Sequence, residues 1–155
     1  MRHLIDFGDL PREEWDELYA RAERIMDAPE KHLDVCRGKV MASLFYEPST
    51  RTNFSFQTAM LRLGGTVFGF ADPKSSSTAK GESLKDTIKM VAGYADVVVM
   101  RTPWEGAAKA ASLYSEVPVI NAGDGGHMHP TQTTTDLTTI TRLRGAVDGL
   151  SVGLC

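Results

Sequence analysis

Cysteine is scarce. The 155 residues contain two, Cys36 and Cys155, with no CxxC pair and no His/Cys spacing of the kind that holds zinc. Neither a disulfide framework nor a metal cluster is therefore expected to organise the fold, and the usage suits a reducing cytosol. Excess positive charge is lacking too: the formal net charge is -3 at pH 7. No global basic field points to nucleic acid or to an anionic membrane, so any anion site must be local. Long apolar runs are missing. "VVVM" is far too short to span a bilayer, and the start, "MRHLIDFGDLPREEW", carries no apolar stretch of signal-peptide length. There is no G-x-G-x-x-G after the first apolar run and no G-x-x-x-x-G-K-S/T, which argues against a generic nucleotide-binding domain. What remains is a soluble, cytoplasmic chain with 42% hydrophobic residues, enough for one domain with a sizeable core.

Periodicity divides the chain into alternating elements. From Pro11 to about Asp27, Trp15, Leu18, Ala22 and Ile25 recur at helical spacing, with Pro11 as a first-turn residue. "KVMASLFY" (39–46) reads as a buried strand. "STRTNFSFQTAMLRLGG" reads as a helix with Ser49 at its N-cap, Phe56, Met60 and Leu63 along one face, and Gly64-Gly65 as its stop. "TVFGF" (66–70) is a second strand, followed by the polar loop "ADPKSSSTAKG". A helix from about Glu82 to Tyr94 turns Leu84, Ile88 and Val91 inward. "ADVVVM" is a buried strand, "EGAAKAASLYS" a helix, "VPVINA" a fourth strand and "GDGGHMH" a glycine-rich loop. A last helix, from Pro130 to about Arg144, is expected to bury Leu137, Ile140 and Leu143. The alternation predicts an α/β fold: three layers, with a parallel sheet of about four strands flanked by helices. "LSVGLC" reads as the opening of another strand. The expected division is therefore one domain over residues 1–149 and the start of a missing second domain at 150–155.

In such sheets ligands bind beyond the carboxyl ends of the strands. Four polar segments are expected to meet there. Ser49, Thr50, Arg51 and Thr52 follow the first strand at a helix mouth, where exposed N–H groups and the helix dipole favour an anion. Arg101 follows "VVVM" directly. His129 to Gln132, "HPTQ", open the last helix, and the loop "SSSTAKGES" offers Ser76 and Lys80. Each has a plainer reading: a cap for Ser49, a solvated charge for Arg51 or Lys80, an Arg101–Glu105 ion pair, a loop hydrogen bond for His129. Four such segments at one sheet edge argue for a site. His3, His32, His127, Trp15 and Trp104 carry no functional assignment.

"STRT" within "FYEPSTRTNFSF", then "VMR", then "HPTQ" followed by "DLTTI", together resemble the aspartate and ornithine carbamoyltransferase family, whose amino-terminal, carbamoyl-phosphate half is similar to essentially the whole chain. "AKGESLKDT" and "TAMLRLGG" are similar to the aspartate branch. The chain departs from the family pattern at Asn53, where a second arginine is common, at Thr102-Pro103-Trp104, and at Thr134-Thr135.

The resemblance implies carbamoyl transfer from carbamoyl phosphate to the amine of L-aspartate, a step of pyrimidine biosynthesis, with neither metal nor cofactor. It implies that Ser49, Thr50, Arg51 and Thr52 cradle the phosphate. Thr52, Arg101 and His129 would face the carbonyl oxygen, Gln132 the carbamoyl nitrogen, and Ser76 and Lys80 would enter a neighbouring protomer's site in a trimer. A regulatory chain or a dihydroorotase is the further partner implied. The amine acceptor's pocket would lie in the other half, so the chain alone is expected to bind carbamoyl phosphate or phosphate weakly and to turn over little. An ornithine-type enzyme and a non-catalytic phosphometabolite-binding homologue are the competing readings.

Overall fold

The computed structural model describes residues 1–8, 10–75 and 77–153. Helix α1 (Arg12–Asp27) precedes β1 (Val40–Phe45), α2 (Thr50–Arg62), β2 (Thr66–Phe70), α3 (Leu84–Ala92), β3 (Val97–Thr102), α4 (Ala107–Tyr114), β4 (Val119–Asp124) and α5 (Pro130–Arg144). Short 3-10 turns lie at Pro29–His32, Pro73–Ser75 and Ser77–Lys80. The four strands form one sheet in the order β2-β1-β3-β4, and every pairing is parallel.

Strand alternation explains the layers. On β1, Ala42, Leu44 and the following Tyr46 join Ile88, Val91, Val98, Met100, Ala108 and Ala111 in one apolar cluster, beneath α3 and α4. Met41 and Phe45 point the other way and meet Met60, Val99 and Ala122, with Phe56 of α2 packed alongside. Because both faces are covered, β1 is apolar except for Ser43 and β3 is apolar as far as Met100, rather than alternating with polar residues. Burying side chains such as Phe45, Leu44 and Ile88, all essentially inaccessible, contributes about 2 kcal/mol each.

The departures from expectation are local. Pro11 caps α1 instead of entering it. Strand β3 continues past Met100 to Thr102, and β4 takes in Gly123 and Asp124 from the glycine-rich segment, because Thr102 pairs with Asp124 beyond a register shift. The amino-terminal segment adds to the sheet edge: Leu4 bridges Ile120, and Ile5 is buried. Leu143 is 77% exposed, not buried. Only Pro130 of α5 is fully enclosed, since this helix lies along the surface groove beside α1 instead of beneath another layer. Residues 150–153 are exposed and form no strand. Cys155 and Ser76 lie outside the described residues.

Topology places the site. The chain steps from β1 to β2 on one side, then crosses back to β3 on the other side of β1. Loops leaving the carboxyl ends of β1 and β3 therefore diverge, and a crevice opens between them.

Candidate active site

Strand β1 ends where it must. Pro48 has no N–H to continue the ladder, and Ser49, with extended backbone, becomes the N-cap of α2. Its hydroxyl makes no hydrogen bond to its own helix. The first intrahelical bond is donated by Asn53 N–H to the Ser49 carbonyl at 3.3 Å. The N–H groups of Thr50, Arg51 and Thr52 thus precede any helical acceptor and lie at the positive end of the helix. Asn53 is buried. Its Oδ1 accepts from Ser43 Oγ of β1 at 2.9 Å and from Gln57 Nε2 at 2.7 Å, which pins the mouth of α2 to the sheet. This departure from the family pattern is thus a neutral anchor beneath the helix mouth.

Arg101 enters from β3 opposite Phe45, and the Tyr46 N–H closes on its carbonyl at 2.8 Å. The β3–β4 register shift falls at this residue, the kind of irregularity that re-aims a side chain. Arg101 donates through Nε to Glu47 Oε1 at 2.6 Å and through Nη1 to Thr52 Oγ1 at 3.4 Å. Arginine and glutamate are each only about a quarter exposed, 26% and 27%. Glu47 grips the Nε edge of the planar guanidinium and leaves the Nη groups for the crevice. The partner is Glu47, not Glu105.

His129 caps α5, and Pro130 occupies the first helical position. Its Nδ1 accepts from the Gln132 N–H at 3.4 Å, and Thr131 Oγ1 stands 3.3 Å from the same nitrogen. A capping Nδ1 leaves the ring proton on Nε2, so the imidazole presents a donor. Burial, reinforced by the Arg101 charge, holds its pKa below the ordinary imidazole value and favours this neutral form. Gln132 donates from Nε2 to Asp136 Oδ1 at 3.0 Å. Further along α5, the Thr134 and Thr135 hydroxyls bond back to the Pro130 and Thr131 carbonyls, each at 2.9 Å, so both are satisfied within the helix.

Gly123 joins these pieces. At φ +121 it occupies backbone space that side-chain-bearing residues avoid. A methyl placed there would stand 3.4 Å from the Arg101 guanidinium carbon and 3.4 Å from His129 Cδ2. The guanidinium and the imidazole thus flank one point. Arg51, Thr52, His129 and Gln132 line a cleft of about 350 Å³ between α2 and α5. Lys80, exposed on its 3-10 turn, does not line it. Among the described residues, no three His, Cys, Asp or Glu side chains are grouped as metal ligands would be. Reading the sequence did not reach Glu47 or Gly123. Glu47 follows β1 directly in "YEPST", but only the pairing of Phe45 with Arg101 on the neighbouring strand shows what it faces.

A family model described as aspartate/ornithine carbamoyltransferase, carbamoyl-P binding domain, matches residues 2–142. The chain is 58% identical over 154 residues to an aspartate carbamoyltransferase catalytic subunit from Clostridium perfringens, covering 99% of this chain and 50% of that protein. A catalytic subunit from Clostridium botulinum is also 58% identical over the same share. Among solved structures, the catalytic subunit of M. jannaschii aspartate transcarbamoylase superposes with a TM-score of 0.89 at 51% identity, over 97% of this chain and 50% of that one. Aspartate transcarbamoylase from Trypanosoma cruzi, in complex with carbamoyl phosphate and aspartate, superposes with a TM-score of 0.84 at 39% identity, over 96% and 50%. The chain spans about half the length of these relatives.

Proposed function

We infer the function from membership and geometry together: the chain belongs to the aspartate/ornithine carbamoyltransferase family, in its carbamoyl-phosphate-binding domain. The observation that carries the reading is the meeting of Arg101 and His129 about Gly123, beside the free N–H groups of α2. In this reading the phosphate rests on the Thr50, Arg51 and Thr52 amides, the hydroxyls of Ser49, Thr50 and Thr52, and the Arg51 guanidinium. The carbonyl oxygen meets Thr52 Oγ1, an Arg101 Nη group and His129 Nε2–H, donors already aimed where negative charge develops. Gln132, its Nε2 engaged by Asp136, offers Oε1 to the carbamoyl N–H groups.

The α-amine of L-aspartate attacks the carbonyl carbon. A C–N bond forms, the C–O bond to phosphorus breaks, and phosphate departs with the electron pair while the nitrogen loses a proton. The products are N-carbamoyl-L-aspartate and phosphate. The preference for aspartate over ornithine is supported by the 58% identity to relatives named aspartate carbamoyltransferase. The amine acceptor's pocket belongs to the half of those relatives that the chain does not span. Lys80, which does not line the cleft of its own chain, and Ser76 serve a neighbouring site in a trimer. The assembly works in the cytoplasm; among the described residues, no helix is long and apolar enough to cross a membrane.

The test is an assay of carbamoyl transfer to L-aspartate and to L-ornithine. The chain is used alone and joined to the part of the C. perfringens subunit that it does not match. Transfer to aspartate by the joined protein, with little or none by the chain alone, is expected. Transfer to ornithine, or full turnover by the chain alone, would contradict the assignment.

A further inference from the structure

We propose that Asp124 is a positioning residue for this site: its buried carboxylate sets the spacing between Arg101 and His129 by tying the loop that follows Arg101's strand to the loop that ends at His129. The inference rests on the function proposed above. Asp124 closes β4 and is fully enclosed, at 0% exposure. A carboxylate taken so far out of water needs donors on both oxygens. It has them from three separate segments. Oδ1 accepts from Asn121 Nδ2 at 3.0 Å and from the Met128 N–H at 3.2 Å. Oδ2 accepts from the Gly106 N–H at 3.0 Å, at the N-cap of α4. His127 Nδ1 stands 3.2 Å from Oδ2 and 3.3 Å from Oδ1.

Apart from Asn121 of β4 itself, those donors belong to the loop that follows β3 and the loop that enters α5. The loops also touch directly: the Gly125 N–H donates to the Thr102 carbonyl at 2.9 Å, and a side chain on Gly125 would stand 2.8 Å from the Pro103 carbonyl. Asp124 directly follows Gly123, the residue that Arg101 and His129 flank. Its acceptor bond to the Met128 N–H lies one residue before His129. Shifting this hub moves both walls of the carbonyl subsite. The phosphate cradle on α2 is anchored to β1 through Asn53 and meets Arg101 through the longer 3.4 Å contact at Thr52 Oγ1, so the hub bears on it less directly. Asp124 therefore acts on the carbonyl end of the ligand and spares the phosphate end.

Asp124→Asn keeps the shape but replaces one acceptor oxygen with an NH₂ group, which must face at least one of the N–H donors. Calorimetry with carbamoyl phosphate and with inorganic phosphate, together with NMR titration of the His129 ring in the ligand-free chain, reads the effect. The expected result is an affinity for carbamoyl phosphate about tenfold weaker, the weight of one charge-assisted hydrogen bond, with phosphate affinity little changed. The His129 titration should also move up toward that of an exposed imidazole. A variant that loses thermal stability but keeps both the wild-type affinity ratio and the wild-type His129 titration would overturn the proposal and leave Asp124 a purely structural residue. If Asp124→Asn does not fold, His127→Ala, which removes one donor at a partly exposed position, is read the same way; an unchanged ratio and an unchanged His129 titration would again overturn it. If the unmodified chain binds neither ligand, the proposed function fails, and the ligand-free His129 titration still decides the role of Asp124.

Discussion

Arg51 and His129 occupy the same cleft but carry different loads. Arg51 brings a mobile charge to a helix mouth, so its loss falls on the phosphate. We expect Arg51→Ala to weaken phosphate and carbamoyl phosphate binding alike, by roughly the 3 kcal/mol that a well-aimed donor is worth. Parallel titrations check this, and undiminished phosphate affinity would refute the assignment. His129→Ala should chiefly lower turnover in the joined protein, because in the proposed reading its Nε2–H meets the carbonyl, where charge builds only during reaction. His129 also links stability to pH. Burial and Arg101 hold it below an ordinary imidazole, so the unfolded chain takes up the proton first as the solution is acidified. Its contribution is complete above the ordinary imidazole range and is lost as pH falls from that range into His129's own, lower one. His3, lowered mainly by burial, acts in the same direction. Melting temperatures of the wild type and His129→Gln across that window should converge toward low pH. The cleft residues were legible because each follows a strand end in a recognisable string. Glu47 was not, because a carboxylate between an aromatic residue and a proline has no signature until the neighbouring strand is known.

At the scale of the element, period and punctuation were enough to find the five α-helices and four strands of the described residues, though not the 3-10 turns, and β2 begins and ends where "TVFGF" does. The ends of β3 and β4 were not legible, since they depend on each other: Thr102 and Asp124 are strand residues only because they pair across a register shift. The bridge at Leu4 is invisible for the same reason. Gly69 gives a test at this scale. At φ +147 it lies against β1, and a Cβ there would run into the Ser43 carbonyl. Glycine inside a strand marks such a close backbone approach. Gly69→Ala should destabilise the chain by about 2–3 kcal/mol, measured by denaturant unfolding, because the β1–β2 pairing must open or strain. A change under about 0.5 kcal/mol, the range of ordinary surface substitutions, would show that the contact is relieved by a small local shift.

At the scale of the whole molecule, Leu143 was misplaced because helical spacing tells which residues share a face, not whether another layer covers it. Leu143 lines the groove between α1 and α5 with Ala22 and Met26, and Met26 and Arg142 also line a second groove of about 870 Å³ with Ile25, Leu33 and Leu63, where Leu33 is 54% exposed. Apolar surface of this kind drives association. We expect sedimentation to show concentration-dependent self-association of the chain, reduced by Leu33→Glu. A monomer at all concentrations would contradict this. The account as a whole depends on a pocket for one small phosphorylated molecule between α2, Arg101 and α5. Calorimetric titration of the chain with carbamoyl phosphate tests it most directly. A single saturable site is predicted, tighter for carbamoyl phosphate than for phosphate and weakened at least about tenfold by Arg51→Ala. Absence of saturable binding, or equal affinity in the Arg51→Ala chain, would contradict it.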